Sequence, residues 1–190
     1  NLPNLTNLDC RNCTSIIELS NLSKITLLFC SYCENLKKIT NIINLTNLNC
    51  SYSNILTEIS NLNNLTELEC SYCTNLTEIY SLPKLNVLLC TFCINLKNIY
   101  SLPNLEDIYC RNCRCLTGNP ILFIPSLKKI YTNNCPFLNY PTNIEYNKNI
   151  LKLIKIQKWR KVNYIKRMVN FWLKSKEFNE WFYSPSGIGG

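Results

Sequence analysis

Histidine and alanine are both missing from these 190 residues, methionine occurs once and glycine four times. Each shortage excludes something. Without histidine there is no imidazole to act as general base, to complete a nucleophile–base pair or to ligate a metal. Three of the four glycines, Gly187, Gly189 and Gly190, stand together at the end, so no glycine-rich loop is available to cradle a phosphate. The acidic residues recur along the chain instead of pairing, which leaves no visible general acid and base, and the chain is read as not an enzyme. No run of about 18 uncharged apolar residues exists, so no transmembrane segment is expected. Nothing at the start joins a basic stretch to an apolar one as a secretory signal does. The absent alanine and the heavy use of Asn, Ile, Leu, Lys and Tyr look like the coding bias of an AT-rich genome, and the asparagines are read as that bias. The first residue, Asn1, and the closing glycines give the chain the look of a fragment of a longer protein.

Cysteine is what the sequence has in plenty, thirteen in all. The count is odd, the chain is long enough to form a core and the cysteines follow a period, so a secreted disulfide framework is disfavoured. An intracellular, reducing setting is expected. Triplets such as Asn4-Leu5-Thr6, Asn44-Leu45-Thr46 and Asn64-Leu65-Thr66 have the form of glycosylation acceptors. Without a secretory signal they are read as unmodified.

Cys70 and Cys73 have the spacing of a zinc knuckle or a redox motif, but so do Cys10 and Cys13, Cys30 and Cys33, Cys90 and Cys93, and Cys110 and Cys113. The spacing belongs to a repeat of about 20 residues with the pattern L-x-x-L-x-C-x-x-C-x-x-L-x-x-I-x-x-L. In one unit it is carried by Leu65, Leu68, Cys70, Cys73, Leu76, Ile79 and Leu82. A seventh unit, with Leu127, Ile130, Thr132, Cys135 and Leu138, follows a two-residue insertion around Gly118, Asn119 and Pro120. Such self-similarity signals a solenoid. Apolar residues step by three almost throughout, which is not the period of a helix, and the one step of two from Leu68 to Cys70 predicts a short strand. The steps of three suggest extended or 3₁₀-like turns, with a tight, irregular side opposite the strands.

These units resemble short leucine-rich repeats, L-x-x-L-x-L-x-x-N/C-x-L, with Cys70 at the second strand leucine and Cys73 at the Asn or Cys position. The resemblance spans residues 1 to about 141 and implies a curved repeat solenoid with a parallel β-sheet on its concave face. Stacking then buries an apolar edge that one coil cannot bury alone. Both cysteines of each unit face inward as small hydrophobes, the second also a weak donor to the backbone at the turn. Ser53 in the third unit and Thr132 in the seventh break any common ligand set, so no metal or other cofactor is expected. Cys115 lies off the ladder, where more exposure is expected.

The sheet's outer lining is read as Asn7 and Asp9, Leu27 and Phe29, Asn47 and Asn49, Glu67 and Glu69, Val87 and Leu89, Asp107 and Tyr109, then Lys129 and Tyr131. Leu27, Phe29, Val87, Leu89, Tyr109 and Tyr131 are the principal candidates for contact with a protein partner, because exposed apolar groups on a rigid sheet suit binding. Beside them runs one aromatic per coil, Tyr32, Tyr52, Tyr72 and Phe92. It fits either partner binding or packing edge to edge to seal the stack.

The composition changes near Pro141. Of a net charge of +8, residues 142 to 190 contribute +7, from ten basic and three acidic residues. Leu151, Ile154, Val162, Ile165, Val169 and Trp172 follow helical spacing among Lys152, Lys155, Lys158, Arg160, Lys161, Lys166 and Arg167. Ser175 is placed to cap a second short helix through Trp181 and Phe182 that Pro185 stops. A helical carboxy-terminal cap over the last coil and a basic helix for nucleic acid or an anionic surface are both compatible with this pattern. The stretch FWLKSKEFNEWFYSPSGIGG, residues 171 to 190, resembles the carboxy-terminal box of leucine-rich-repeat proteins encoded by mimivirus-like giant viruses of amoebae. That resemblance implies a repeat protein of undetermined biochemical role, further lysines beyond the glycines, a host protein as one class of partner and host cytoplasm as its setting. The main expectation is a non-catalytic interaction scaffold. The alternatives are a nucleic-acid or anionic-surface binder and the recognition arm of a ubiquitin-ligase adaptor whose F-box-like segment precedes Asn1.

Overall fold

The step of two between Leu68 and Cys70 places a strand, and the same strand recurs in every coil. The protein is seen in a computed structural model that describes residues 4–116, 124 and 126–135. The recurring strands are β1 (Asn7–Asp9), β3 (Leu27–Phe29), β5 (Asn47–Asn49), β7 (Glu67–Glu69), β9 (Val87–Leu89), β11 (Asp107–Tyr109) and β12 (Lys129–Tyr131). They form one seven-stranded parallel sheet in that order. Register follows the repeat, with Leu48 opposite Leu68 and Leu68 opposite Leu88. Ile108 still pairs with Ile130, so the two-residue insertion before the seventh unit leaves the sheet in register. The fold is therefore a parallel β-solenoid of about 20 residues per coil. The helical cap expected over residues 142–190, and Gly118, Asn119 and Pro120, lie outside the described residues.

The other side of the coil is not irregular. It carries a second set of strands, β2 (Glu18–Ser20), β4 (Lys38–Thr40), β6 (Glu58–Ser60), β8 (Glu78–Tyr80) and β10 (Asn98–Tyr100). These three-residue strands send only their central residue inward, as Ile79 does between Glu78 and Tyr80. A period of two needs two inward residues on one strand, so the apolar pattern here kept its step of three. The second set is split into β2-β4-β6 and β8-β10.

All seven inward positions of the fourth coil, from Leu65 to Leu82, are buried, and equivalent residues of successive coils stack into one core. Each fully buried Leu or Ile contributes about 1.5–3 kcal/mol, largely offset by the entropy of ordering the chain.

The cysteine spacing is the spacing of a turn. The Cys73 amide donates to the Cys70 carbonyl at 3.2 Å and Ser53 repeats the bond to Cys50 at 3.3 Å, the i to i+3 closure of a β-turn. The third residue of each turn takes positive φ, 62° at Tyr72 and 60° at Phe92, as a type II turn requires. Asn12, Asn112 and Asn134 hold that position in the outer coils, and Asn21, Asn41 and Asn61 hold a second left-handed corner after the other strand.

Each turn is then tied to its neighbour. The Cys33 thiol donates to the Cys10 carbonyl at 3.2 Å, Cys73 to Cys50 at 3.2 Å, Cys93 to Cys70 at 3.0 Å and Cys113 to Cys90 at 3.0 Å. Ser53 makes the same bond to Cys30 through its hydroxyl at 3.2 Å. A thiol that donates must keep its proton, which is the opposite of what a metal ligand or nucleophile needs. Burial raises the Cys33 thiol and pushes Cys10 up to about 12, while in the last coil hydrogen bonds with Cys110 and then Cys113 lower Cys135 to about 4. Among the described residues no three cysteine, aspartate or glutamate side chains are grouped to hold a metal ion.

The asparagines are structural as well, contrary to their reading as coding bias. In Asn64-Leu65-Thr66 the amide of Asn64 donates to the Ile43 carbonyl at 2.7 Å, Leu65 enters the core and the Thr66 hydroxyl donates to the Thr46 carbonyl at 2.9 Å. Asn44 and Asn104 make the same bond to Ser23 and Pro83, each at 2.7 Å. The triplet recurs because it staples one coil to the one before.

Candidate partner-binding face

A strand that sends its central residue inward must send the two flanking residues outward. The seven-stranded sheet therefore presents seven rungs of paired side chains, about 4.8 Å apart. Leu27 and Phe29 make one apolar rung, with Phe29 39% exposed. Val87 and Leu89 make another, half-buried. Leu89 lies in register with Tyr109, which stacks on Tyr131 with ring centroids 4.4 Å apart. These six principal candidates thus fall into two groups. The Arg11 guanidinium, clamped to Asp9 by bonds of 2.6 and 2.9 Å, sits 6.0 Å from the centre of the Phe29 ring and flanks the first group.

Between the groups lie two polar rungs that hydropathy alone did not single out. The Asn47 amide donates to Glu67 at 2.8 Å and the Asn49 amide donates to Glu69 at 2.6 Å. Asn49 in turn accepts from the Ser31 hydroxyl at 2.7 Å and from the Ser51 amide at 3.1 Å. These bonds fix the carboxylates in place. Burial, and then the nearby Glu67, lifts the Glu69 carboxyl above its ordinary range. The signal available in the sequence was the 20-residue spacing of Asn and Glu at the same repeat position.

The aromatic column extends the kind of stacking seen between Tyr109 and Tyr131. Tyr32, Tyr52, Tyr72 and Phe92 stack face to face, with successive centroids 4.4, 4.4 and 4.7 Å apart and planes within 13° of parallel. Stacking, not edge-to-edge packing, joins the coils here, and most ring faces are covered by the next ring. What solvent sees is a strip of ring edges, most open at Tyr32. Each ring stands at a left-handed turn residue, a conformation costing about 1–2 kcal/mol for a side chain with a Cβ. A stacked pair returns about 0.5–1.5 kcal/mol beyond its buried area, so ladder and strain are of the same order.

The basic residues Lys152, Lys155, Lys158, Arg160, Lys161, Lys166 and Arg167 lie outside the described residues. No helix among the described residues is long and apolar enough to cross a membrane. The chain matches no protein-family model, and no curated protein is significantly similar to it.

Proposed function

We propose that this protein is a non-catalytic scaffold that binds a protein partner on the outer face of its seven-stranded sheet. One observation carries the reading: the apolar rungs Leu27–Phe29 and Val87–Leu89 stand on the solvent side of a sheet whose other side already fills the core. An apolar side chain there adds nothing to the interior, whereas on a rigid frame it offers contact area at little entropic cost. The aromatic strip and Tyr109–Tyr131 extend the same surface. The free cysteines fit a reducing, intracellular setting. Replacing Phe29 and Leu89 together by Ser tests the proposal. Circular dichroism and thermal unfolding are expected to stay near wild type while partner affinity falls by at least about tenfold, as loss of a central apolar contact does. Unchanged affinity in the folded variant refutes it.

The +7 charge of residues 142–190 favours a second reading, binding of nucleic acid or an anionic surface through the tail. It predicts affinity that falls steeply with added salt and is left unchanged by the Phe29→Ser/Leu89→Ser substitution.

A further inference from the structure

Of the four carboxylates on the outer face of the seven-stranded sheet, two are matched to cations. Asp9 is clamped by Arg11, and Asp107 by Lys129 at 3.0 Å. Glu67 and Glu69 are the other two, and among the described residues their partners are the neutral amides of Asn47 and Asn49. An amide orients a carboxylate but leaves its charge in place. The centre of the face therefore holds two half-buried, fixed negative charges, one rung from Val87–Leu89 and two rungs from Leu27–Phe29.

The spacing of this apolar–acidic–apolar sequence matches one kind of ligand. Phe29 and Leu89 are three rungs apart, about 14 Å at 4.8 Å per rung. A fully extended polypeptide rises about 3.4 Å per residue, so residues i and i+4, which point the same way, span about 14 Å as well. Residue i+2 also points toward the face, and it arrives between the Asn49 and Glu69 rungs.

We infer that the face takes an extended segment of another protein, running along the solenoid axis in the pattern apolar–x–basic–x–apolar, with its Lys or Arg received by Glu67 and Glu69. The inference rests on the proposed binding role of this face and names the chemistry of its partner. Charge complementarity selects a basic centre, because a cation neutralises two adjacent carboxylates, of which Glu69 is disfavoured in its charged form by burial and then by the nearby Glu67. The apolar ends supply desolvated contacts at Phe29 and Leu89.

A displayed library of randomised peptides, panned on the full chain at physiological salt, tests this. Enrichment of a Lys or Arg with apolar residues two positions to either side is expected. The enriched peptides are expected to lose affinity by about tenfold on a Glu67→Gln/Glu69→Gln variant and to lose it also on Phe29→Ser/Leu89→Ser. Enriched peptides without a basic centre, or with undiminished affinity for the glutamine variant, overturn the basic-centre inference; if they still fail on the serine variant, the binding face itself stands. Enrichment that survives the serine variant, or no enrichment at all, overturns both. A self-associated species in sedimentation that the glutamine variant abolishes assigns the face to a second copy and overturns the inference too.

Discussion

Ser53 occupies the slot that Cys33, Cys73 and Cys93 fill in other coils, and its hydroxyl makes the bond to the preceding coil that their thiols make. The slot thus selects a small side chain with one donor. Ser53→Ala is expected to cost about 1–3 kcal/mol by leaving the Cys30 carbonyl without that donor, while Ser53→Cys restores the bond and stays close to wild type. Urea unfolding measures both, and equal stability of the two variants would show that the bond contributes nothing. The first slot of each turn differs: Thr132, where other coils place Cys70 or Cys90, buries a hydroxyl that has no partner among the described residues. Cys50 in that first slot donates only a long bond, to the Glu69 carbonyl at 3.5 Å, so most of the hydrogen bonding between turns is the work of the second position. Glu69 adds a pH dependence. Its carboxyl is raised above 4.5, by burial first, so its ionised form opposes folding at neutral pH and that opposition fades as pH falls through the raised value. The stability of wild type relative to Glu69→Gln should therefore rise on acidification from neutral pH toward 4.5, as paired denaturation curves would reveal, and a constant difference would contradict it.

Strands that share two coils differ in how completely they pair. β5 and β7 pair across their whole length, whereas β6 and β8, in the same two coils, do not pair. The repeat sets Glu58 beside Glu78, and each turns to the opposite neighbour, Glu58 to Lys38 at 3.1 Å and Glu78 to the Asn98 amide at 2.9 Å. Like charges on adjacent strands disfavour pairing by a fraction of a kcal/mol, enough to decide a three-residue contact. Amides of β6 and β8 are therefore expected to exchange with deuterium faster than those of β5 and β7. Glu78→Gln should slow them a few-fold, in keeping with the size of a cross-strand pair. Equal protection on both sides of these coils would remove the seam.

At the scale of the whole molecule, the coils form a one-dimensional stack in which each touches only its neighbours. Eleven of the thirteen thiols are buried, Cys13 is half-buried and Cys115 is exposed. Under native conditions iodoacetamide is expected to modify Cys115 first and Cys13 more slowly. The remaining thiols should react together only when the stack opens. Intact-mass spectra over a denaturant series measure this, and a graded series of masses instead of two populations would mean that coils fray one by one.

The inward residues, the coil length and the main strand were legible because they depend on local order: Leu65, Leu68, Cys70 and Cys73 point inward by their spacing along one coil. The expectation that Cys115 stands outside the ladder rested on the same periodicity. Tyr52 stacking on Tyr72, Asn64 reaching Ile43, Asn49 fixing Glu69 and the parting of Glu58 from Glu78 all join residues about twenty positions apart. The repeat spacing marked the partners, but those contacts exist only once register brings neighbouring coils within a strand spacing, so the tertiary structure decided how they meet. The sequence by itself determined what each coil buries, through the free energy of removing apolar groups from water; stacking determined which surface groups a neighbour satisfies with a cation, as Lys129 does for Asp107, and which it meets with a neutral amide among the described residues, as at Glu67 and Glu69.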